Sequence, residues 1–213
     1  MTRTTLRRQQ LADAAISTLA GSGMRGLTHR AVDKTAEVPA GSCSYYFRTR
    51  QQLLQAAVER LAELDITEID ERPALTGPAS IAEVAEATAG LIEHWTTTGR
   101  ERMLARYELA LEAPRRPELR TALHLAGSRH RAVAEKMLIA AGSPDPAAHA
   151  NAFVALLDGI LFTQLTAAAP HRLTPGQLRR TLLGLIPTCT GASLSLESPS
   201  THNPPAANER GTC

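Results

Sequence analysis

Aromatic side chains are scarce in this 213-residue chain: three Phe, three Tyr and one Trp, or 3% in all. A β-sandwich or barrel builds its core from aromatic and β-branched residues, so this composition speaks against one. Cysteines number three, Cys43, Cys189 and Cys213, odd in count and far apart. They offer neither a disulfide framework nor the Cys-x-x-Cys spacing of a zinc site, and they suit a reducing cytoplasm. No apolar run approaches the length of a bilayer span, so no membrane association is expected. The sequence also lacks a Gly-x-Ser-x-Gly elbow, a Gly-Lys-Ser/Thr phosphate loop and a dinucleotide glycine pattern. None of its seven histidines pairs at i, i+4 with an acidic companion, and His124 and His130 stand six apart. These absences predict no catalytic residues, no metal and no cofactor, hence a protein that is not an enzyme. No internal repeat is present.

Alanine and leucine dominate what remains, and both lose little side-chain freedom in a helix, which predicts an all-α fold. Apolar residues make up 43% of the chain and charged residues 21%, ordinary values for a globular protein that needs no staple. Charge is unevenly spread. Residues 1–60 carry nine Lys/Arg against four acids, a surplus of five, while the overall charge is only +2. A basic first quarter joined to a mildly acidic body implies a polyanionic partner at one end.

Glycine and proline punctuate the chain at Gly21–Gly23, Val38–Gly41, Pro73–Pro78, Pro114–Pro117, Gly142–Pro146 and Pro170–Gly176. Between these breaks the apolar residues recur with helical spacing. Leu11, Ala15 and Leu19 form one stripe, with Gly23 as its stop signal, and Leu53, Ala57, Leu61 and Leu64 form another over about 51–69. Further helices are predicted at about 80–98, 100–113, 116–141, 146–168 and 175–188. Ser80 with Glu83 has the spacing of a capping box. The last two helices are apolar on more than one face and require cover on several sides, from a deep core or a partner subunit. From Gly191 onward the chain is rich in Ser, Pro, Asn and Thr and predicts a disordered tail.

The segment 27–54 is organised as two very short helices with a tight connection. Thr28 is the natural N-cap of the first, Val32 and Ala36 supply its buried side, and Val38 packs just after it. The second is predicted to begin near Pro39, with Gly41, Ser42 and Ser44 leaving a face small enough to approach another surface. Hydroxyls, Tyr45, Tyr46, Arg48 and Arg50 surround it, groups suited to phosphate oxygens. Phe47 is read as packing. Tyr45 and Tyr46 fit either packing or phosphate contact. Cys43 reads as a small buried residue, with oxidation as the alternative.

Leu11 to Leu54 resembles the N-terminal domain of TetR-family regulators: an amphipathic helix ending at Gly23, a Leu-Thr opening, Val32 and Ala36, Val38, then Gly-Ser, Tyr-Phe, a basic residue and Leu-Leu. The resemblance implies an N-terminal three-helix DNA-binding domain over 1–50, a connecting helix over 51–72, a ligand-binding and dimerisation domain over 73–190, and the tail over 191–213. It implies that Thr28, His29 and Arg30 touch DNA backbone or a nearby base, that Ala40, Gly41, Ser42 and Ser44 form the recognition face, and that Arg50 anchors a phosphate. Two positions depart from the family pattern. Glu37 stands where the turn often has glycine, and Ser44 where a groove-contacting tyrosine is common, which leaves that role to Tyr45 or Tyr46.

For the second domain, Trp95, Met103, Tyr107, His124, Phe153 and Phe162 combine apolar bodies with a few polar handles and are candidates for a pocket. Asp158, inside an apolar run, is read as a buried polar anchor, a dimer contact or a helix-bending partner. The expected function is a cytoplasmic, homodimeric repressor, paired through about 146–168 and 175–188, that leaves a palindromic double-stranded DNA operator when a small-molecule effector binds. The alternative is a DNA-binding regulator or activator whose body binds a protein partner, with a helical enzyme a distant third.

Overall fold

The computed structural model describes residues 2–70 and 77–190, and all regular structure among them is helical. The predicted tail over 191–213 and the boundary near 72–73 lie outside the described residues. Among the described residues nine α-helices follow in order: α1 (Arg3–Gly26), α2 (His29–Thr35), α3 (Ser42–Tyr46), α4 (Arg50–Asp70), α5 (Ile81–Thr96), α6 (Arg100–Glu112), α7 (Pro117–Ala140), α8 (Pro146–Thr166) and α9 (Pro175–Thr190).

Local chemistry sets most of their ends. Thr28 accepts from the Ala31 amide to open α2, and Asp145 accepts from the Ala148 amide to open α8. Ser80 and Glu83 form the predicted capping box, each side chain bonded to the other's backbone N–H. Gly23 has φ 64° and ψ −175°, so the regular course of α1 breaks there, as its sequence predicts, and a short turn runs on to Gly26.

Two hydrophobic cores result. The first gathers Leu11, Ile16 and Leu19 of α1, Val32 of α2, Cys43 of α3, Phe47, and Leu53, Ala57 and Leu61 of α4. The second gathers Val84, Ile92 and Trp95 of α5, Leu138 of α7, Phe153, Leu161 and Leu165 of α8, and Leu178, Leu182 and Ile186 of α9. Helix α6 belongs to both. Its Ala105 and Leu109 complete the first core, while Met103 enters the second. It lies along α1 and also meets α4, α5 and α7.

Contrary to the expectation that no run approaches the length of a bilayer span, α8 is by length and composition apolar enough to cross a membrane. Its buried Phe153, Leu161 and Leu165 explain part of that character as core packing. The remaining apolar surface, Ala152, Ala155, Leu156, Gly159 and Phe162, forms an exposed stripe at helical spacing, beside exposed Leu183 and Gly184 of α9.

Candidate DNA interface and effector cavity

Helices α2 and α3 are joined by a turn that one carboxylate holds. Asp33, 4% exposed, accepts from the Gly41 amide at 2.8 Å and from the Cys43 amide at 2.7 Å. A negative charge thus satisfies donors at the start of α3, which no side chain of α3 itself can reach. The sequence reading missed Asp33 because its partners lie eight and ten residues away. It also placed the start of α3 too early. Gly41 takes φ 91°, a left-handed conformation incompatible with helix, so Pro39, Ala40 and Gly41 form the turn and the helix begins at Ser42. Glu37 has φ 54°, the left-handed geometry that glycine supplies at lower cost, which accounts physically for the departure noted above.

The outer surface of this unit is open. Thr28, Arg30, Ala40, Gly41, Ser44, Tyr45 and Arg48 are exposed, Tyr45 by 79%. Tyr45 and Tyr46 meet edge to face at 5.1 Å, with Tyr46 half-buried. Ser42 is half-buried, and its hydroxyl donates to the Pro39 carbonyl at 2.6 Å. Phe47 is buried, as expected, with the Arg8 guanidinium 4.7 Å above its ring.

Two expected DNA-contacting side chains face inward. The His29 ring bonds to the Phe47 carbonyl at 2.7 Å, which locks α2 onto the end of α3. The Arg50 guanidinium donates to the carbonyls of Met24 and Leu27, so it closes the end of α1 and does not project outward as a phosphate anchor. Carbonyls at a helix C-terminus lack intrahelical donors, and a forked cation is well shaped to serve two acceptors at once. Glu108 of α6 accepts from the Met24 amide at 3.0 Å at the same place. Arg60, one of the basic residues of the first quarter, pairs with Asp13 at 2.7 Å and ties α4 to α1. Burial, and next the charge of Asp33, push the Cys43 thiol up to about 12, so it is protonated at neutral pH and is a buried packing group.

The second core encloses a cavity of about 50 Å³ between α5, α6, α7 and α8, lined by Trp95, Arg106, His130, Met137, Phe153 and Asp158 among others. Trp95, Phe153 and Asp158 of the predicted set are brought together there. Met103 is fully buried outside the lining, His124 faces solvent on α7, and Tyr107 and Phe162 pair edge to face at 5.3 Å outside it. The Tyr107 hydroxyl donates to the Asp158 carbonyl at 3.2 Å, and burial raises its pKa above the ordinary phenol value. A neighbouring cavity of about 180 Å³ lies against α4, lined by Val58, Leu61, Ala62, Asp65, Arg106, Ala110, Leu123 and Asp158.

Arg106 and His130 were not anticipated. Arg106 stands 3.4 Å from Asp65 of α4, and its two terminal nitrogens each lie 3.1 Å from a ring nitrogen of His130. Beside them Glu68 pairs with Arg102 and, at 2.8 Å, with His94. Four helices, α4, α5, α6 and α7, meet in this polar cluster. A weak hint was available: acids at 65 and 68 on one helix and arginines at 102 and 106 on another each share a face.

Residues 79–188 match the family model described as Tetracyclin repressor-like, C-terminal domain. Among solved structures, the multidrug binding protein EbrR complexed with ethidium is 34% identical, with a TM-score of 0.66 over 85% of this chain and 99% of that one. A TetR-family member from Streptomyces coelicolor A3, SCO1917, is 32% identical, with a TM-score of 0.66 over 85% and 98%. The regulator SCO7518 from Streptomyces coelicolor A3(2) is 27% identical, with a TM-score of 0.67 over 86% and 98%. No curated protein sequence matches the chain. An N-terminal helix-turn-helix held on a helical body with an internal cavity, together with a family match across that body, leads to one conclusion: the chain belongs to the TetR family of transcriptional regulators.

Proposed function

We propose that the protein is a homodimeric repressor that binds a palindromic operator and leaves it when a small molecule occupies the helical body. The observation that carries this reading is the α2–α3 unit. Its inner side is locked by Asp33, while Ala40, Gly41, Ser44, Tyr45 and Arg48 stand open toward any surface it approaches. Thr28, Arg30, Tyr45 and Arg48 suit phosphate oxygens, and Ala40, Gly41, Ser42 and Ser44 are small enough for base edges. Arg50 and His29 contribute by fixing the scaffold. Half-buried Tyr46 borders the same surface.

The exposed apolar stripe of α8 and its neighbour on α9 supports pairing with a second copy, which would set two reading heads on one duplex. Action on DNA supports a cytoplasmic location. One relative, EbrR, solved with ethidium, proflavin and malachite green, supports a small ligand for the helical body and a regulator in place of an enzyme. Ligand binding changes DNA affinity only to the extent that it favours one spacing of the heads over another.

The test is selection from a random DNA library by the purified protein, followed by fluorescence anisotropy on the enriched site across salt concentrations. Enrichment of a palindrome bound far more tightly than scrambled DNA is the expected result. A folded dimer that enriches nothing at low and moderate salt would overturn the reading.

A further inference from the structure

Past residue 60 the chain carries 14 Lys/Arg against 17 Asp/Glu, yet three of those arginines, Arg115, Arg116 and Arg120, fall within six residues at the corner between α6 and α7. They stand beside the reading head. A groove of about 800 Å³ runs between this corner and the end of α1, and its charged lining is Arg25, Arg50, Arg115 and Arg116 against Glu108 and Glu112. The head supplies the first two cations and the body the other two.

Part of that charge is already engaged. Arg50 faces the Met24 and Leu27 carbonyls, and Glu108 accepts from the Met24 amide. Glu112 holds both body arginines: one oxygen accepts from Arg115 at 2.9 Å and the other from Arg116 Nε at 2.9 Å. One carboxylate between two guanidiniums leaves a positive excess, and it orders both side chains, so less rotamer freedom is lost when a further anion binds. The Arg115 side chain is 68% exposed, and the terminal nitrogens of Arg116 have no partner among the described residues. Arg25 is exposed and forms no hydrogen bond or ion pair among them. Arg120, about one turn of α7 past Arg116, is exposed and donates to the Pro114 carbonyl, a neutral acceptor.

Position decides which anion fits. Arg25 precedes Thr28 by three residues, at most about 11 Å of chain, and Thr28 and Arg30 open the α2–α3 surface assigned above to DNA. The cations at the end of α1 and at the α6–α7 corner thus continue that surface onto the body. A duplex presents a phosphate of each strand about every 3.4 Å along its axis, so one lying against α2 and α3 carries phosphates past the edge of the head. Guanidinium forks match phosphate oxygens, and an open groove with mostly exposed arginines suits a long polyanion laid across it.

We propose that Arg25, Arg115, Arg116 and Arg120 form a second, sequence-independent DNA contact, through which the helical body holds backbone phosphates that flank each half-site. The proposal rests on the DNA-binding role given above and adds a surface outside the helix-turn-helix.

The test compares the unaltered full-length protein with an Arg115→Ala/Arg116→Ala double variant by fluorescence anisotropy on two duplexes: one ending at the outer edges of the palindrome and one extended by about six base pairs on each side. Both side chains lie outside the two cores, and an unchanged melting midpoint verifies the fold. On the extended duplex the double variant should bind roughly tenfold more weakly, and its salt slope should fall by about 1.8, the value for two phosphates. On the short duplex the two proteins should bind alike. Arg115→Lys/Arg116→Lys, which keeps the charge, should restore most of the loss. Equal affinities and slopes of the unaltered and double-variant proteins on the extended duplex would overturn the proposal, as would an equal loss on both duplexes. Inorganic pyrophosphate that raises the melting midpoint of the unaltered protein but not of the double variant, with no effect of the flanks, would assign the groove to a small anion and overturn it too. The slope is also read on scrambled duplex, where phosphate contact needs no palindrome. If selection enriches nothing while the double variant still lowers that slope, the operator reading falls and the body's contact stands. A palindrome enriched without any difference between the two proteins removes this contact alone.

Discussion

Replacing Asp33 with alanine is expected to loosen the start of α3 more than any change on its exposed face. The lost interactions are two amide bonds to a buried carboxylate, at 2.8 and 2.7 Å. Hydrogen bonds to a charged group contribute about 1.5–3 kcal/mol each. Gly41 is exposed, so its amide regains water, whereas the Cys43 amide belongs to a fully buried residue and does not. The net cost is therefore about 3 kcal/mol, a large part of the 5–15 kcal/mol typical of a folded domain. For a chain of this size that corresponds to a fall in melting midpoint of about 6–12 °C, measured by circular dichroism. Asp33→Asn should lose roughly half as much, because one amide oxygen still accepts while the NH₂ group opposes the second donor. DNA affinity should fall for operator and scrambled sequences alike, since the whole helix loses its aim. An Asp33→Ala protein with unchanged midpoint and undiminished DNA affinity would refute the reasoning.

Glu37→Gly should raise stability by about 1 kcal/mol, because the left-handed conformation costs a residue with Cβ about 1–2 kcal/mol; urea unfolding measures it. Arg50→Ala should lower the melting midpoint yet leave the salt dependence of DNA binding intact, whereas Arg48→Ala should reduce its slope by about 0.9, the value for one phosphate contact. Anisotropy at several salt concentrations separates the two. Above about pH 9 the unfolded chain releases the Cys43 proton while the folded chain retains it to about 12, so this thiol makes stability fall as pH rises through that window. Cys43→Ala should flatten that part of a pH–stability profile, and Cys43 in the native protein should resist thiol-labelling reagents at neutral pH.

What could be read from the sequence was local. Thr28, Ser80 with Glu83, and Gly23 act on neighbours within a turn, and the structure places each as its spacing indicates. The helix order and its apolar stripes follow from periodicity in the same way. The polar links between distant segments were not legible: Asp33 reaches across a turn, Glu108 bonds an amide 84 residues earlier, and Arg106 meets Asp65 41 residues earlier. Their charges are visible in the sequence, but burial and partner are set by how α1, α4 and α6 pack. Arg50 shows the converse. Its type and position suggested phosphate, yet the end of α1 places the Met24 and Leu27 carbonyls within its reach. In the second core, His130 and His124 are indistinguishable as letters. About one and two-thirds turns of α7 separate a residue at the cavity from one in solvent.

Because α6 supplies Ala105 and Leu109 to one core and Met103 to the other, the reading head is not a module that can be lifted off at residue 50. A chimera that transplants residues 1–70 onto a foreign body would arrive with an uncovered groove along α1 and with the Met24 amide missing its acceptor. Exchange of specificity between relatives is therefore better made by replacing the short stretch from Thr28 to Arg48 within the intact chain, where every inherited contact to α6 survives.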